Sequence, residues 1–179
     1  KDALDKSIPS DPTSFGLFLK QIIDENKINT NRIAVSLPSD ACYTRLIEIP
    51  EEVKENDSIS FLENPKSGIQ IPISLENSDF EISLTNLPKK EIKHKVFNRY
   101  FLTSVPKKNV DIILESIKIA NLEVSLIQMS HLCIANLLKP EIDKLTENDL
   151  IISVDLLDEF TQFVIFDCSG PLLIKRLAS

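Results

Sequence analysis

Glycine is scarce in this sequence. Only three of the 179 residues are glycine, and Gly16, Gly68 and Gly170 lie far apart. A phosphate-binding loop needs several glycines close together, because only a residue without a side chain lets the backbone turn tightly and approach an anion. The sequence therefore contains neither a P-loop nor a dinucleotide-binding fingerprint. It also lacks the Gly-x-Ser-x-Gly turn that exposes a hydrolase nucleophile.

Positive charge is in deficit, and cysteine and histidine are few. With 20 Lys and Arg against 27 Asp and Glu, the net charge is -7, the wrong sign for neutralising phosphates, so we expect no nucleic-acid partner.

Cys42, Cys133 and Cys168 are odd in number and widely spaced, which predicts a reducing compartment and no disulfide framework. His94 and His131 have no partner at a metal-ligand spacing, so we expect no metal site. The Lys-His-Lys context of His94 is typical of a solvated loop, and His131 has the position of a capping or semi-buried residue.

Long apolar runs are absent as well. No run approaches the roughly 18–20 residues of a membrane helix, and the first residues do not resemble a signal peptide. We therefore expect a soluble chain without direct membrane insertion. Because the sequence begins with Lys1, we also expect it to be a piece of a longer protein. The 42% of hydrophobic residues suffice for a buried core.

Hydrophobic spacing predicts a mixed α/β chain. Asp11-Pro12 is typical of a helix start, and apolar residues at helical spacing continue to about residue 26. Further strands and helices alternate, and three strands follow one another at the end. The predicted helices cover 12–26, 106–121 and 132–138, and the predicted strands cover 32–37, 42–49, 80–84, 96–105, 122–127, 150–155, 161–167 and 172–177.

Residues 51–78 differ in amino-acid composition from the segments on either side. They are acidic and polar, and Pro65, Gly68 and Pro72 interrupt what is at most a weak helix. The basic stretch 89–95 predicts a solvated turn, and the polar stretch 140–148 predicts a connection. We therefore expect a larger layered unit that is interrupted by a small α+β insertion at about residues 51–105.

The order of motifs resembles one family over nearly the whole chain. Arg32-Ile-Ala-Val-Ser-Leu-Pro-Ser39 and Thr44-Arg-Leu-Ile-Glu-Ile-Pro50 resemble the paired strands of the type IV pilus assembly protein PilM. Gly68-Ile-Gln-Ile-Pro-Ile73, before Asp79-Phe-Glu-Ile82, is similar to the approach to that family's inserted strand. The stretch from Val105 to Val124 and the stretch from Ile151 to Thr161 follow in the family's order. Relatives with the same fold include FtsA and GspL.

This resemblance implies a fold and a domain plan. The expected fold is a partial actin-like fold, with ribonuclease-H-like halves and a small α+β inserted subdomain, truncated at both ends. Residues 1–50 and 106–148 would form the first half, 51–105 the insertion, and 149–179 the start of the second half.

The resemblance also implies a degenerate nucleotide site. The family's second phosphate hairpin reads Asp-x-Gly-x-x-Thr-Thr, and the aligned run here extends from Asp155 to Thr161. Leu157 replaces the glycine, and Asp158 and Glu159 place carboxylates in the turn that would meet the anion. Two like charges at 4 Å repel by about 1 kcal/mol even in water. We therefore expect a vestigial hairpin of Asp155, Asp158 and Thr161, with ATP and magnesium bound only if the full-length protein restores the site.

The remaining expected function is binding. In the PilM family, the groove between insertion and first half captures the N-terminal tail of the inner-membrane protein PilN. The matching residues here are Arg45, Ile47, Tyr100 and Leu102, although core packing explains them equally well. The resemblance implies a cytoplasmic scaffold of a bacterial pilus assembly platform, peripheral to the inner membrane, with a PilN-like partner and contacts to the pilus motor or other platform proteins.

Two alternatives remain open. One is an active actin-like ATPase of pilus, secretion or cell-division machinery, with magnesium held by Asp155 and Asp158. Another is an FtsA-like division protein. Without the resemblance, Asp155 with Asp158 or Glu159 is best explained as a solvated turn between two strands rather than an acid/base pair.

Overall fold

The computed structural model describes residues 4–5, 7–73, 75, 79–156 and 160–178. These residues form two compact units. Unit 1 contains the described residues within 1–43, 78–81 and 104–133, and unit 2 contains those within 44–77, 82–103 and 134–179. Nothing in the structure tests the predicted boundaries of the actin-like halves and the insertion, which stay predictions.

Unit 1 is built from two helices and a parallel strand pair. After the short strands β1 (Leu4–Asp5) and β2 (Ile8–Pro9), helix α1 (Pro12–Glu25) begins where predicted, because the side chain of Asp11 accepts hydrogen bonds from the amides of Thr13 and Ser14. Strand β3 (Arg32–Leu37) pairs in parallel with a later strand of the chain, Glu123–Met129.

Helix α1 packs directly on the helix Lys107–Ile119 of the same unit. Gly16 permits this approach, since an added Cβ would lie 2.5 Å from the carbonyl oxygen of Ser116 and 2.7 Å from Cβ of Ile119. A side chain at this position would therefore force the helices apart.

The centre of the sequence supplies a three-stranded sheet, most of which lies in unit 2. Its strands are β4 (Tyr43–Pro50), β5 (Phe80–Ile92) and β6 (Lys95–Pro106), in the order β4-β6-β5, and the short helix α2 (Ser58–Glu63) lies between β4 and β5 in sequence. Pro88 is tolerated because β5 is an edge strand of this sheet. The buried residues of β4 and β6 form its core: Ile47, Ile49, Tyr100, Phe101 and Leu102.

The prediction of a long turn at 89–95 is wrong. Strand β5 continues to Ile92 and β6 begins at Lys95, so only Lys93 and His94 connect them. Both residues have positive φ, 50° and 64°, as expected for a two-residue hairpin turn of the type usually made by Asn-Gly. The basic side chains thus belong mainly to the strands.

The chain after β6 completes both units. Helix α3 (Lys107–Ile119) and strand β7 (Glu123–Met129) belong to unit 1, and helix α4 (Ser130–Ile142) follows them. The predicted connection 140–148 therefore begins later than expected, because α4 includes Pro140 and ends at Ile142. Three antiparallel strands follow in the order β10-β9-β8: β8 (Ile151–Leu156), β9 (Phe160–Asp167) and β10 (Gly170–Ala178).

One face of the β8–β10 sheet is covered and the other is open. Val164 and Phe166 of β9 pack with Ile142 of α4 and form a small core, joined by partly buried residues of α4, β8 and β10. On the opposite face, Ile152 and Leu156 of β8 remain 57% and 81% exposed. The alternation of buried and exposed residues follows the two-residue period of a strand.

Candidate functional site

The structure describes only part of the predicted phosphate hairpin. Asp155 lies near the end of β8 opposite Gln162, and Thr161 lies on β9 opposite Leu156. Residues 157–159, which include Asp158, lie outside the described residues. The vestigial hairpin, and with it any role for ATP or magnesium, therefore stays a prediction. Within the described ranges, no group of three His, Cys, Asp or Glu side chains is placed to hold a metal ion.

The predicted partner-binding residues differ in accessibility. Ile47, Tyr100 and Leu102 are 3%, 4% and 0% exposed, so their side chains pack in the core of the β4-β6-β5 sheet. The Tyr100 hydroxyl accepts a hydrogen bond of 3.3 Å from Ser58 of α2, which satisfies its polar atom. Arg45 is exposed and donates a hydrogen bond to the carbonyl oxygen of Gln70. No observation tests contact of these four residues with a partner, and that contact stays a prediction.

Gln70, the hydrogen-bond partner of Arg45, lines a groove in unit 2 that the sequence patterns do not predict. The groove lies along α2 and the irregular segment that follows it, and its volume is about 860 Å³. This volume is within the range of about 300–1,000 Å³ that is typical of ligand-binding pockets. The described residues that line it are Leu62, Glu63, Asn64, Pro65, Ile69, Gln70, Ile71, Pro72, Ile73 and Leu75.

Short-range hydrogen bonds shape this segment. Asn64 accepts from the amide of Lys66 at 2.9 Å and starts a single 3₁₀ turn, which ends at Gly68 with φ of 74°. The carboxylate of Glu63 accepts from the amide of Leu75 at 2.6 Å, which ties the far end of the segment back to α2. Hydrogen bonds to Glu63 of α2 and to Arg45 of β4 thus hold this segment in place.

Isoleucines form one wall of the groove. Ile69, Ile71 and Ile73 are half-buried, whereas Gln70 and Pro72 between them are exposed. The alternation is present in the sequence, but the neighbouring prolines and Gly68 are equally typical of a chain break, so the pattern alone does not predict a surface. The three side chains keep apolar area accessible, as a docking surface requires.

The stretch that precedes the groove in sequence is acidic. Residues 51–63 contain five carboxylates and one lysine. Glu51 is paired with Lys89 at 2.6 Å, and Glu55 accepts a hydrogen bond of 2.8 Å from Asn86. Among the described residues of the groove lining, Glu63 is the one that can ionise. Arg45, which donates to the carbonyl oxygen of Gln70, adds a positive charge at the groove.

A buried arginine ties the turn between β9 and β10 to the central sheet. Arg99 of β6 is 3% exposed, and its guanidinium donates to the hydroxyl of Ser169 at 2.7 Å and to the carbonyl oxygens of Ser169 and Pro171. The carboxylate of Glu48 lies at the margin of this cluster, with its Oε1 3.9 Å from Nε of Arg99. A buried charge is tolerated only when its donors are satisfied, so this cluster fixes the turn on the sheet.

Asp167 strengthens the same turn. It accepts from the amide and hydroxyl of Ser169 at 2.8 and 2.5 Å, and Lys90 of β5 lies 3.2 Å away. Partial burial acts to raise the pKa of Asp167, but the hydrogen bonds from Ser169 and the charge of Lys90 outweigh it, so the pKa lies below its ordinary value. Asp167 is therefore ionised at neutral pH.

Comparison with solved structures defines the class of fold. The chain has part of an actin-like ATPase fold, which confirms the predicted fold class. Over 98% of its length it superposes on the PilM–PilN type IV pilus biogenesis complex, with a TM-score of 0.76 and 17% identity. The similarity to PilM that the motifs suggested is thus confirmed at the level of the fold.

A second solved structure belongs to a related machine. The cytoplasmic domain of EpsL, an inner membrane component of the type II secretion system of Vibrio cholerae, superposes on 91% of this chain with a TM-score of 0.51 and 12% identity. The chain spans about half the length of these solved chains, 51% of the first and 56% of the second.

No protein-family model matches it, and no curated protein matches it in sequence. None of the helices in the described ranges has the length and apolarity needed to cross a membrane.

Proposed function

We propose that this chain is part of a docking protein of a type IV pilus or related secretion platform, and that it holds the cytoplasmic tail of an inner-membrane protein similar to PilN. The observation that carries the proposal is the superposition of 98% of the chain on the PilM–PilN complex. The similarity to EpsL, whose own machine is a secretion system, supports the same class of role. The chain would act in the cytoplasm, at the periphery of the inner membrane.

The charge of the chain is compatible with this partner. Cytoplasmic segments close to a membrane helix carry an excess of Lys and Arg. A chain with a net charge of -7 attracts such a segment, and the acidic stretch 51–63 concentrates that attraction beside the groove. Contacts with the pilus motor or with other platform proteins belong to the same proposal.

We further propose that the chain serves as a scaffold rather than as an ATPase. Leu157 replaces the hairpin glycine of the family, and leucine does not readily adopt the backbone conformation that turns amides toward a phosphate. An actin-like ATPase is the second candidate, because ATP-dependent proteins share this fold. Titration of the full-length protein with ATP and magnesium separates the two: the scaffold predicts no saturable binding below millimolar ATP, and micromolar binding would favour the ATPase.

Co-purification from membranes tests the docking role. The full-length protein is co-expressed with the PilN-like inner-membrane protein of the same organism, either intact or without its cytoplasmic tail. The proposal predicts that the protein accompanies the intact partner through detergent extraction and is lost when the tail is removed. Equal recovery with the tail-less partner would contradict tail docking, and no recovery with either would contradict the proposed partner.

A further inference from the structure

We infer that the outer edge of strand β5 pairs antiparallel with the same edge of a second copy of this chain, with Thr85 at the two-fold axis. The inference concerns self-association and does not depend on the docking role, although a dimer would present two docking sites at once. Strand β5 lies at the edge of the β4-β6-β5 sheet. In the part of the chain that the structure describes, no strand pairs with its outer edge.

The length of this open edge is the first argument. Strand β5 has 13 residues, whereas a strand usually has about five or six. Proteins protect exposed edges with proline and lysine, and β5 has Pro88, Lys89 and Lys90 in its second half. Residues 82–87 contain neither a proline nor a charged residue. This stretch is therefore open to pairing with another strand.

Pro88 indicates which backbone groups face the free edge. Proline has no N–H group, so in a sheet it occupies a position whose nitrogen points away from the neighbouring strand. Backbone groups alternate in direction along a strand, so those of Leu84 and Asn86 point to the same side as the nitrogen of Pro88. A second strand beside this edge would therefore meet hydrogen-bond donors and acceptors at Leu84 and Asn86.

Charge selects the occupant and its direction. Glu81 lies at one end of the open stretch and Lys89 at the other. In an antiparallel pair centred on Thr85, Glu81 of each copy lies opposite Lys89 of the other copy, whereas an in-register parallel pair would bring like charges together. The contacts that these residues make within the chain, with Lys107 at 3.9 Å and with Glu51 at 2.6 Å, are exposed ion pairs, which contribute little to stability.

The direction of the backbone groups agrees with this centre. With Thr85 on the axis, Leu84 of one copy lies opposite Asn86 of the other, so the backbone groups that face the free edge meet each other. The two Thr85 residues then form a pair without backbone hydrogen bonds between them, in which the side chains approach closely and threonines stabilise one another. Two edge strands bury less surface than a standard interface, so we expect a weak dimer.

Sedimentation equilibrium of the full-length protein measures this dimer. Between about 10 µM and about 1 mM protein we expect a monomer–dimer equilibrium with a Kd on the order of 100 µM. Glu81→Lys should raise the Kd at least about tenfold, because the introduced lysine lies opposite Lys89, and adding Lys89→Glu should restore the Kd to within about threefold. Glu115→Lys is the matched control. It changes the net charge equally at an exposed position on α3, and its Kd should stay within about twofold.

Disulfide formation locates the axis independently. A Cys168→Ser background removes the exposed native cysteine. In this background, Thr85→Cys should give a disulfide-linked dimer under mild oxidation, because opposed residues of such a pair have Cα atoms about 4.5 Å apart. Ser83→Cys is the control, since its two introduced cysteines would lie about 13 Å apart along the strands and should not link. Circular dichroism confirms that each variant is folded.

Several results would overturn the pairing of β5. A monomer at every concentration would do so, as would a Kd that Glu81→Lys leaves unchanged or that the double exchange does not restore. Linkage at Ser83 as ready as at Thr85 would contradict the register. A dimer that is abolished by Ile152→Asp instead would identify the open face of the β8–β10 sheet as the interface. None of these results bears on tail docking, because no membrane partner is present in the experiments.

Discussion

Replacing Arg99 by alanine should destabilise unit 2 strongly. The substitution removes a guanidinium that makes hydrogen bonds to Ser169 and Pro171 and is 3% exposed. Hydrogen bonds to a charged group contribute about 1.5–3 kcal/mol each, and they are not additive here because they share one side chain. Arg99→Ala leaves the neutral acceptors of Ser169 and Pro171 without this donor, and because a buried unsatisfied acceptor costs about 1–3 kcal/mol we expect a total loss of about 3 kcal/mol or more. That is a large fraction of the roughly 5–15 kcal/mol by which a domain is stable.

Arg45 provides the matched control. It also donates a hydrogen bond to a backbone carbonyl, that of Gln70, but it is exposed, so Arg45→Ala should cost no more than about 1 kcal/mol. Urea unfolding followed by circular dichroism measures the free energy of unfolding of both variants. Arg99→Lys should lie between them, because an ammonium keeps the charge but cannot match the planar fork of the guanidinium. If Arg99→Ala were no more destabilising than Arg45→Ala, the conclusion that Arg99 stabilises the turn between β9 and β10 would be wrong.

Three further predictions concern packing and pH. Gly16→Ala should destabilise the protein by about 1–3 kcal/mol in urea unfolding despite the better helix propensity of alanine, because the new Cβ would lie 2.5 Å from the Ser116 carbonyl; equal or higher stability would refute the close approach of the helices. Phe166→Ala should cost about 3–5 kcal/mol at a fully buried site, whereas Leu156→Ala should stay within about 0.5 kcal/mol; equal losses would contradict the core described for the β8–β10 sheet. The pKa of Asp167 is lower in the folded state, so its contribution to stability is present above the unfolded pKa of about 3.9 and is lost as pH falls through the folded pKa. An Asp167→Asn variant should lack this part of the acid dependence of the unfolding free energy. Identical profiles of unfolding free energy against pH for the two proteins would contradict this role of Asp167.

Local signals in the sequence predicted the secondary structure well. The helix predicted at 12–26 is Pro12–Glu25, because an aspartate cap and a proline at the first position act within a few residues. The strand predicted at 32–37 is confirmed with the same bounds. The turn at Lys93 and His94 was not predictable, since neither residue is the Gly or Asn that favours positive φ. At these two residues, the pairing of the long strands β5 and β6 determines the backbone conformation of the turn.

The candidate site was less accessible to sequence reasoning. Arg45, Ile47, Tyr100 and Leu102 alternate on strands, and alternation does not reveal which face another element covers. The structure buries three of them and leaves Arg45 exposed. The groove depends on a return of the chain from Leu75 to Glu63, which no periodic pattern signals. Fold class was predictable because it depends on the order of elements, whereas the surface depends on how they pack.

Calorimetric titration of the full-length protein with the PilN-like tail peptide tests the docking role most directly. We expect one peptide per chain, a micromolar Kd that weakens as salt is raised, and a negative heat-capacity change from the burial of apolar side chains. Saturable binding that is insensitive to salt would contradict the electrostatic part of the account. The absence of any binding heat up to millimolar peptide, at two temperatures, would contradict tail docking as a whole.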